Sequence, residues 1–248
     1  MTVVGTPRRD AVDEARRVLD AAGDIPVRVL GGVAIALSLP REPLLPRTYN
    51  DIDFITTRGD GRRTAKLFEE LGYAGDHQFN GLNGHRRLLF YDTQNERRVD
   101  VFVGRFEMCH TWPLERRLTV TDGTIPLADL LLTKLQIFAV NEKDQRDIVN
   151  LLHGHKLSDD DRTGINTAYV AERAAADWGL WRTATANLER ARAALPRFGL
   201  SAPDEALVSS RLDDVRKRID AEPKTTKWKL RARVGERVQW YEEPEEIG

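Results

Sequence analysis

Apolar and polar positions alternate along the chain in two different rhythms, and the change between them divides it. From Asp10 to Ala22, Val12, Ala15, Val18 and Leu19 recur at helical spacing among charges, with Gly23 as a stop. Val27 to Leu30 alternates like a short strand and ends in Gly31-Gly32, after which Val33 to Leu39 reads as a helix. Pro40, Pro43 and Pro46 forbid regular structure and lead into Asp51-Ile52-Asp53-Phe54-Ile55-Thr56, a second alternating strand. A helix over Gly61 to Leu71 and a glycine-punctuated stretch through Gly84 follow, then two strands, Leu88 to Tyr91 and Arg98 to Val103, joined by a hairpin-like connection. A further strand is expected near Leu118 to Thr121. Pro126 to Val140 reads as a strongly apolar helix, since proline is tolerated at a helix start. Beyond about Ser158 strand patterns disappear, and Thr163 to Leu195 and Pro203 to Ile219 read as helices. The fold class expected is α/β (α+β), a mixed-sheet front followed by a helical C-terminal region. The expected boundaries are a domain over 1–157, a helical domain over 158–222 and a charged segment over 223–248.

Composition supports a folded chain and excludes several classes. Apolar residues make up 41% and charged residues 31%, and with 38 Lys+Arg against 39 Asp+Glu the net charge is -1, so any nucleic-acid binding must be local. The lone Cys109 can form no internal disulfide and no multi-thiolate zinc site. The first seventeen residues hold many charges and no apolar stretch of signal length, and the most apolar run, Ile125 to Val140, is interrupted by Asp129 and Lys134, so a cytoplasmic protein without a membrane segment is expected. His153, His155 and the Cys109-His110 pair lack a second ligand pair at structural-zinc spacing, and no zinc is expected. Neither a phosphate-binding P-loop nor a Gly-x-Ser-x-Gly elbow occurs.

The candidate chemistry lies in three carboxylates downstream of a glycine turn. Residues i and i+2 of a strand share a face, so Asp51 and Asp53 point together while Ile52 and Phe54 point to the core. Two such neighbours repel, and a divalent cation between them relieves the repulsion; hard oxygen ligands suit Mg²⁺, which keeps waters and substrate phosphates as its other ligands. Asp100, flanked by Val99 and Val101 on a later strand, supplies a third ligand, and three carboxylates are enough for a two-metal site that activates a hydroxyl and stabilises a leaving oxygen. Gly31 and Gly32 permit close backbone approach at a helix start, where N–H groups can cradle phosphate.

Gly31-Gly32, Asp51-Ile52-Asp53 and Val99-Asp100-Val101, in that order, resemble the signature of the DNA polymerase beta-like nucleotidyltransferases. The resemblance covers roughly residues 25 to 155. Gly32 stands where many members have a serine, and 18 residues separate it from Asp51. Leu130 to Leu135 with Lys134, followed by Glu142-Lys143-Asp144-Gln145-Arg146-Asp147, is similar to the AbiEii-type toxin branch. The resemblance implies a mixed-sheet nucleotidyltransferase core that moves NMP from an NTP to a hydroxyl with Mg²⁺, Asp51, Asp53 and Asp100 as metal ligands and Asp100 helping to deprotonate the acceptor. It implies an RNA acceptor such as tRNA in a toxin-like role with a possible antitoxin partner. The alternatives are a small-molecule enzyme like those acting on aminoglycosides and lincosamides, or a non-catalytic nucleotide- or RNA-binding relative.

Lys134, on an otherwise apolar helix, must find an anion: either a triphosphate or the nearby Asp144 or Asp147, either of which can also orient it. Asp147 reads equally as a helix-surface charge. Arg47 and Thr48, just before the metal strand, are either phosphate contacts or solvated loop residues. Between Pro223 and Gln239 six Lys/Arg stand against one acid, Glu236, with Trp228 among them. This segment either contacts an RNA backbone and stacks a base, or pairs with the acidic end, Glu242 to Glu246.

Overall fold

The computed structural model describes residues 9–243, and these divide into two compact units. The first comprises residues up to Leu37, Thr48–Arg105 and Pro113–Thr124; the second comprises Ser38–Arg47, Phe106–Trp112 and the chain from Ile125 onward. These units do not follow the expected boundaries at 157 and 222, because the helices after Ile125 pack with the later ones and the proline-rich loop joins them.

In the first unit, helix α1 (Ala11–Ala22) starts where the Asp10 side chain accepts from the Val12 N–H, and it buries Ala11, Ala15, Val18 and Ala22. Strand β1 (Arg28–Leu30) runs straight into helix α2 (Gly31–Ser38), then come β2 (Asp51–Thr56), α3 (Gly61–Glu70), β3 (Ala74–Gly75), α4 (His77–Asn83), β4 (Arg87–Asp92) and β5 (Arg97–Val103). The five strands form one mixed sheet in the order β1-β2-β5-β4-β3, in which β2 and β5 are parallel and the other pairs antiparallel. One face carries the aromatic core: Phe68 of α3 lies 5.3 Å from Phe54 on β2 and 5.0 Å from Phe90 on β4. Ile52 and Phe54 are fully buried, as their alternation demands.

Helix α4 falls within the glycine-punctuated stretch, which gave no sign of it; Asp76 starts it by accepting from the Phe79 N–H. The strand expected near Leu118 to Thr121 is instead a 3₁₀ turn, Glu115–Arg117, followed by further turns, with Leu118 buried and one isolated bridge between Val29 and Thr124. A short hairpin, β6 (Arg105–Glu107) and β7 (Thr111–Pro113), was not expected.

The second unit holds α5 (Leu127–Leu135), α6 (Glu142–Gly154), β8 (Leu157–Ser158), β9 (Ile165–Asn166), α7 (Thr167–Ala176), α8 (Trp178–Ala194), α9 (Ala202–Ala221) and α10 (Thr226–Val234). Helix α5 ends at Leu135, five residues before the apolar pattern does, because Asn187 of α8 donates to the Leu135 and Ile137 carbonyls at 2.9 and 2.6 Å. The single helix expected over Thr163 to Leu195 is broken at Asp177, whose side chain caps α8 by accepting from the Leu180 N–H. Among the described residues no helix is long and apolar enough to cross a membrane.

Candidate active site

The face of the sheet opposite the aromatic core carries the acidic residues. In the parallel register Asp51 lies beside Arg98, Asp53 beside Asp100 and Ile55 beside Phe102, and in the antiparallel register Leu89 lies beside Asp100 and Leu30 beside Asp53. Asp53 and Asp100 are therefore cross-strand neighbours, and Asp51 stands two residues before Asp53 on the same side. Asp51 is exposed, Asp53 half-buried and Asp100 buried.

Gly31 ties this face to the start of α2. Its φ of 71° is in the left-handed region, and a Cβ placed on it would collide with Asp53 Oδ2. The glycine thus permits both the turn from β1 into α2 and the seating of the Asp53 carboxylate against the backbone. As at any helix start, the first-turn N–H groups of α2, beginning with Gly31 and Gly32, have no intrahelical acceptor. Anionic oxygen is favoured there.

Asp100 is already engaged. Its Oδ1 accepts from Arg87 Nε at 2.8 Å and Nη2 at 2.7 Å, and its Oδ2 accepts from Arg98 Nε at 3.0 Å. Among the described residues, no three His, Cys, Asp or Glu side chains gather closely enough to hold a metal ion. The donor set fits one hard cation on Asp51 and Asp53, with substrate oxygens completing its shell; a second ion would require Asp100 to exchange its arginines for the metal. Arg87 and Arg98 are the residues that sequence reasoning missed. The i, i+2 rule that joined Asp51 to Asp53 also joins Arg98 to Asp100, whereas Arg87 needs the register of the β4–β5 hairpin.

Lys134, Asp144 and Arg47 come together with Asp147 in the second unit. Lys134 Nζ lies 3.0 Å from Asp144 Oδ1 and 2.9 Å from Asp147 Oδ2. Arg47 makes a two-pronged contact with Asp147, Nε to Oδ1 at 2.8 Å and Nη2 to Oδ2 at 2.7 Å. Two cations and two carboxylates thus balance. Burial alone would lower the Lys134 pKa, but Asp147 and Asp144 outweigh it and hold the ammonium above its usual range; burial alone would raise Asp147, and Lys134 and Arg47 hold it below. Lys134 makes the carboxylate pairing, which can also orient it toward an anion, and Asp147 is a buried partner rather than a surface charge. Arg47, read as either a phosphate contact or a solvated loop residue, pairs its fork with Asp147, while Thr48 beside it is exposed. Asp144 also closes the capping box of α6 with Asn141.

The basic segment becomes α10 and the turn after it. Trp228 packs edge-on against Trp181 at 5.1 Å, which fixes the orientation of its ring. Arg231 donates to the carbonyls of Gly235 and Val238 rather than to an acid, and Glu236 pairs with Arg182. Glu245 and Glu246 lie outside the described residues.

No protein-family model matches the chain, and no curated protein does. A solved structure found similar is the STING-associated CdnE c-di-GMP synthase from Capnocytophaga granulosa, at 13% identity over 84% of this chain and 79% of that one, with a TM-score of 0.29. A superposition that loose carries no argument about fold or chemistry.

Proposed function

We propose that the first unit is the catalytic core of a nucleotidyltransferase that moves a nucleoside monophosphate from an NTP to a hydroxyl. The observation that carries this reading is Asp53, seated against Gly31 at the start of α2, with Asp51 on the same face of β2 and Asp100 beside it on β5. A Mg²⁺ bound there would be held by Asp51 and Asp53 and would polarise phosphate oxygens. The protein's own groups account for the rest. The α2 start and Arg98 bind triphosphate oxygens, and the acceptor hydroxyl is oriented against the acidic face. Its oxygen forms a bond to the α-phosphorus as the bond to the β-bridging oxygen breaks and pyrophosphate leaves. The hydroxyl proton goes to Asp100 once polyphosphate has drawn its arginines away.

For the acceptor, RNA such as tRNA is the reading supported by the exposed cations of α10, Lys227, Lys229 and Arg233, whose charges a phosphate backbone would neutralise. A toxin-like role and an antitoxin partner belong to this reading. The test is transfer of label from each NTP, labelled at the α-phosphorus, into total tRNA, into the protein itself and into a panel of aminoglycosides and lincosamides. Label on RNA that disappears in Asp53→Asn, with an unchanged circular-dichroism spectrum, is the expected result. Label transfer that persists in Asp53→Asn overturns the assignment of the acidic face, and label on a drug alone overturns the RNA acceptor.

A further inference from the structure

The second unit contains a cavity of about 440 Å³ whose wall combines Trp178, Trp228, Trp240 and Tyr241 with the cations Lys227 and Arg231. Its rings are held in place from behind. Trp240 lies 5.9 Å from Trp178 and donates its indole N–H to Thr183 Oγ1 at 3.1 Å, Tyr241 stacks on Phe138 at 3.7 Å, and Trp228 abuts Trp181. Arg231 lies over the Trp178 ring at 4.7 Å. The Trp228 Nε1–H is buried with no acceptor among the described residues. Two acids also line the cavity: Asp177, one oxygen of which caps α8, and the exposed Glu242. His110, also in the wall, is neutral at pH 7 because burial pushes its pKa down to about 4.

A rigid aromatic wall with two cations suits a ligand that is planar and anionic. The volume falls within the range of small-molecule and cofactor sites. The geometry points to a nucleotide-binding site in the second unit, with a base against the indole wall and its phosphate at Lys227 and Arg231. The chemistry is shared by a free mononucleotide and by one nucleotide of a single-stranded RNA. The site does not depend on the acidic face being catalytic. In its RNA form it deepens the acceptor reading given above.

The test uses the full chain in EDTA, so that binding assisted by divalent metal on the acidic face is suppressed. Nucleoside monophosphates are titrated against tryptophan emission, and a short fluorescein-labelled single-stranded oligoribonucleotide against its anisotropy. Lys227→Glu, at an exposed position, and Trp228→Leu are each expected to weaken binding about tenfold. Lys227→Glu should also flatten the slope of log affinity against log salt for the oligonucleotide by about one. Thermal melting keeps the Lys227→Glu result separate from a folding defect, and Asp53→Asn should bind as the parent does, which separates failure here from failure of the catalytic reading. Mononucleotide binding without oligonucleotide binding assigns the site to a free nucleotide; oligonucleotide binding that mononucleotides displace assigns it to RNA. No response to either ligand at millimolar concentration, or affinities unchanged in both variants, overturns the proposal.

Discussion

At the scale of single residues, Gly31 and Asp53 cannot be considered apart. Gly31→Ala would place a Cβ against Asp53 Oδ2 and hold an L side chain at φ 71°, which costs about 1–3 kcal/mol. We expect a lower urea midpoint and, because Asp53 must move, loss of label transfer in protein that is still folded at 25 °C. The glycine was visible in the sequence as a turn former; the carboxylate it admits was not, because Leu30↔Asp53 pairing is decided by the sheet. Asp147 shows a different residue-scale dependence. It is fully buried between Lys134 and Arg47, so Asp147→Ala would leave an excess buried positive charge and should destabilise by about 3–5 kcal/mol. Asp147→Asn keeps an acceptor and should cost less; equal melts for the two variants would remove the charge argument.

At the scale of elements, the loop between α2 and β2 is fixed by a helix remote in sequence. Its proline content predicted irregular structure correctly and said nothing about what holds it. Asn150 of α6 accepts from the Leu45 N–H at 2.8 Å and donates to the Leu45 carbonyl at 2.9 Å, and Asp147, one turn earlier, holds Arg47. Asn150→Ala would leave both Leu45 groups buried without partners. We expect a loss of about 2–4 kcal/mol in a urea melt, with faster amide exchange at Leu45 as the local signature. The helices and strands with the clearest periodicity, α1, α3, β2, β4 and β5, lie where the alternation of apolar residues placed them. The misplaced ends have tertiary causes. Asn187 takes the carbonyls of Leu135 at the end of α5 and of Ile137 just beyond it, and Asp177 divides an alanine-rich run that local propensity would continue. The 118–121 segment alternates like a strand, yet only Thr124, just after it, bridges to β1, so the pattern alone could not make it one.

At the scale of the whole molecule, acid should weaken the fold in stages. His110 has a folded pKa of about 4 against an ordinary 6.5, because burial disfavours its charged form. The unfolded chain therefore binds the proton first, and stability present above pH 6.5 declines as pH falls toward 4, by about 3 kcal/mol for this group. His155, lowered by burial and by Arg211, adds to the same window. The neutral ring of His110 explains its contact at Thr183: the hydroxyl accepts from Trp240 and can donate to His110 Nε2, which protonation would forbid. Glu14 acts lower on the scale. Burial would raise its pKa, but Arg17, Tyr73 and Arg9 outweigh it and bring it down to about 2, so its contribution is lost below about pH 4.5. Thermal melts across this range should show the first decline flattened in His110→Gln and the second unaffected. The sequence by itself determined the alternating strands, the apolar faces of the helices and the pairing of Asp51 with Asp53, because side-chain direction within a strand or helix is fixed by backbone geometry. Which strand lies beside which, that Asp100 falls beside Asp53 and between two arginines, that Lys134 meets two carboxylates and that four tryptophans converge in the helical unit were decided only by the tertiary structure. Each depends on contacts between segments far apart in the chain, and local periodicity carries no information about them.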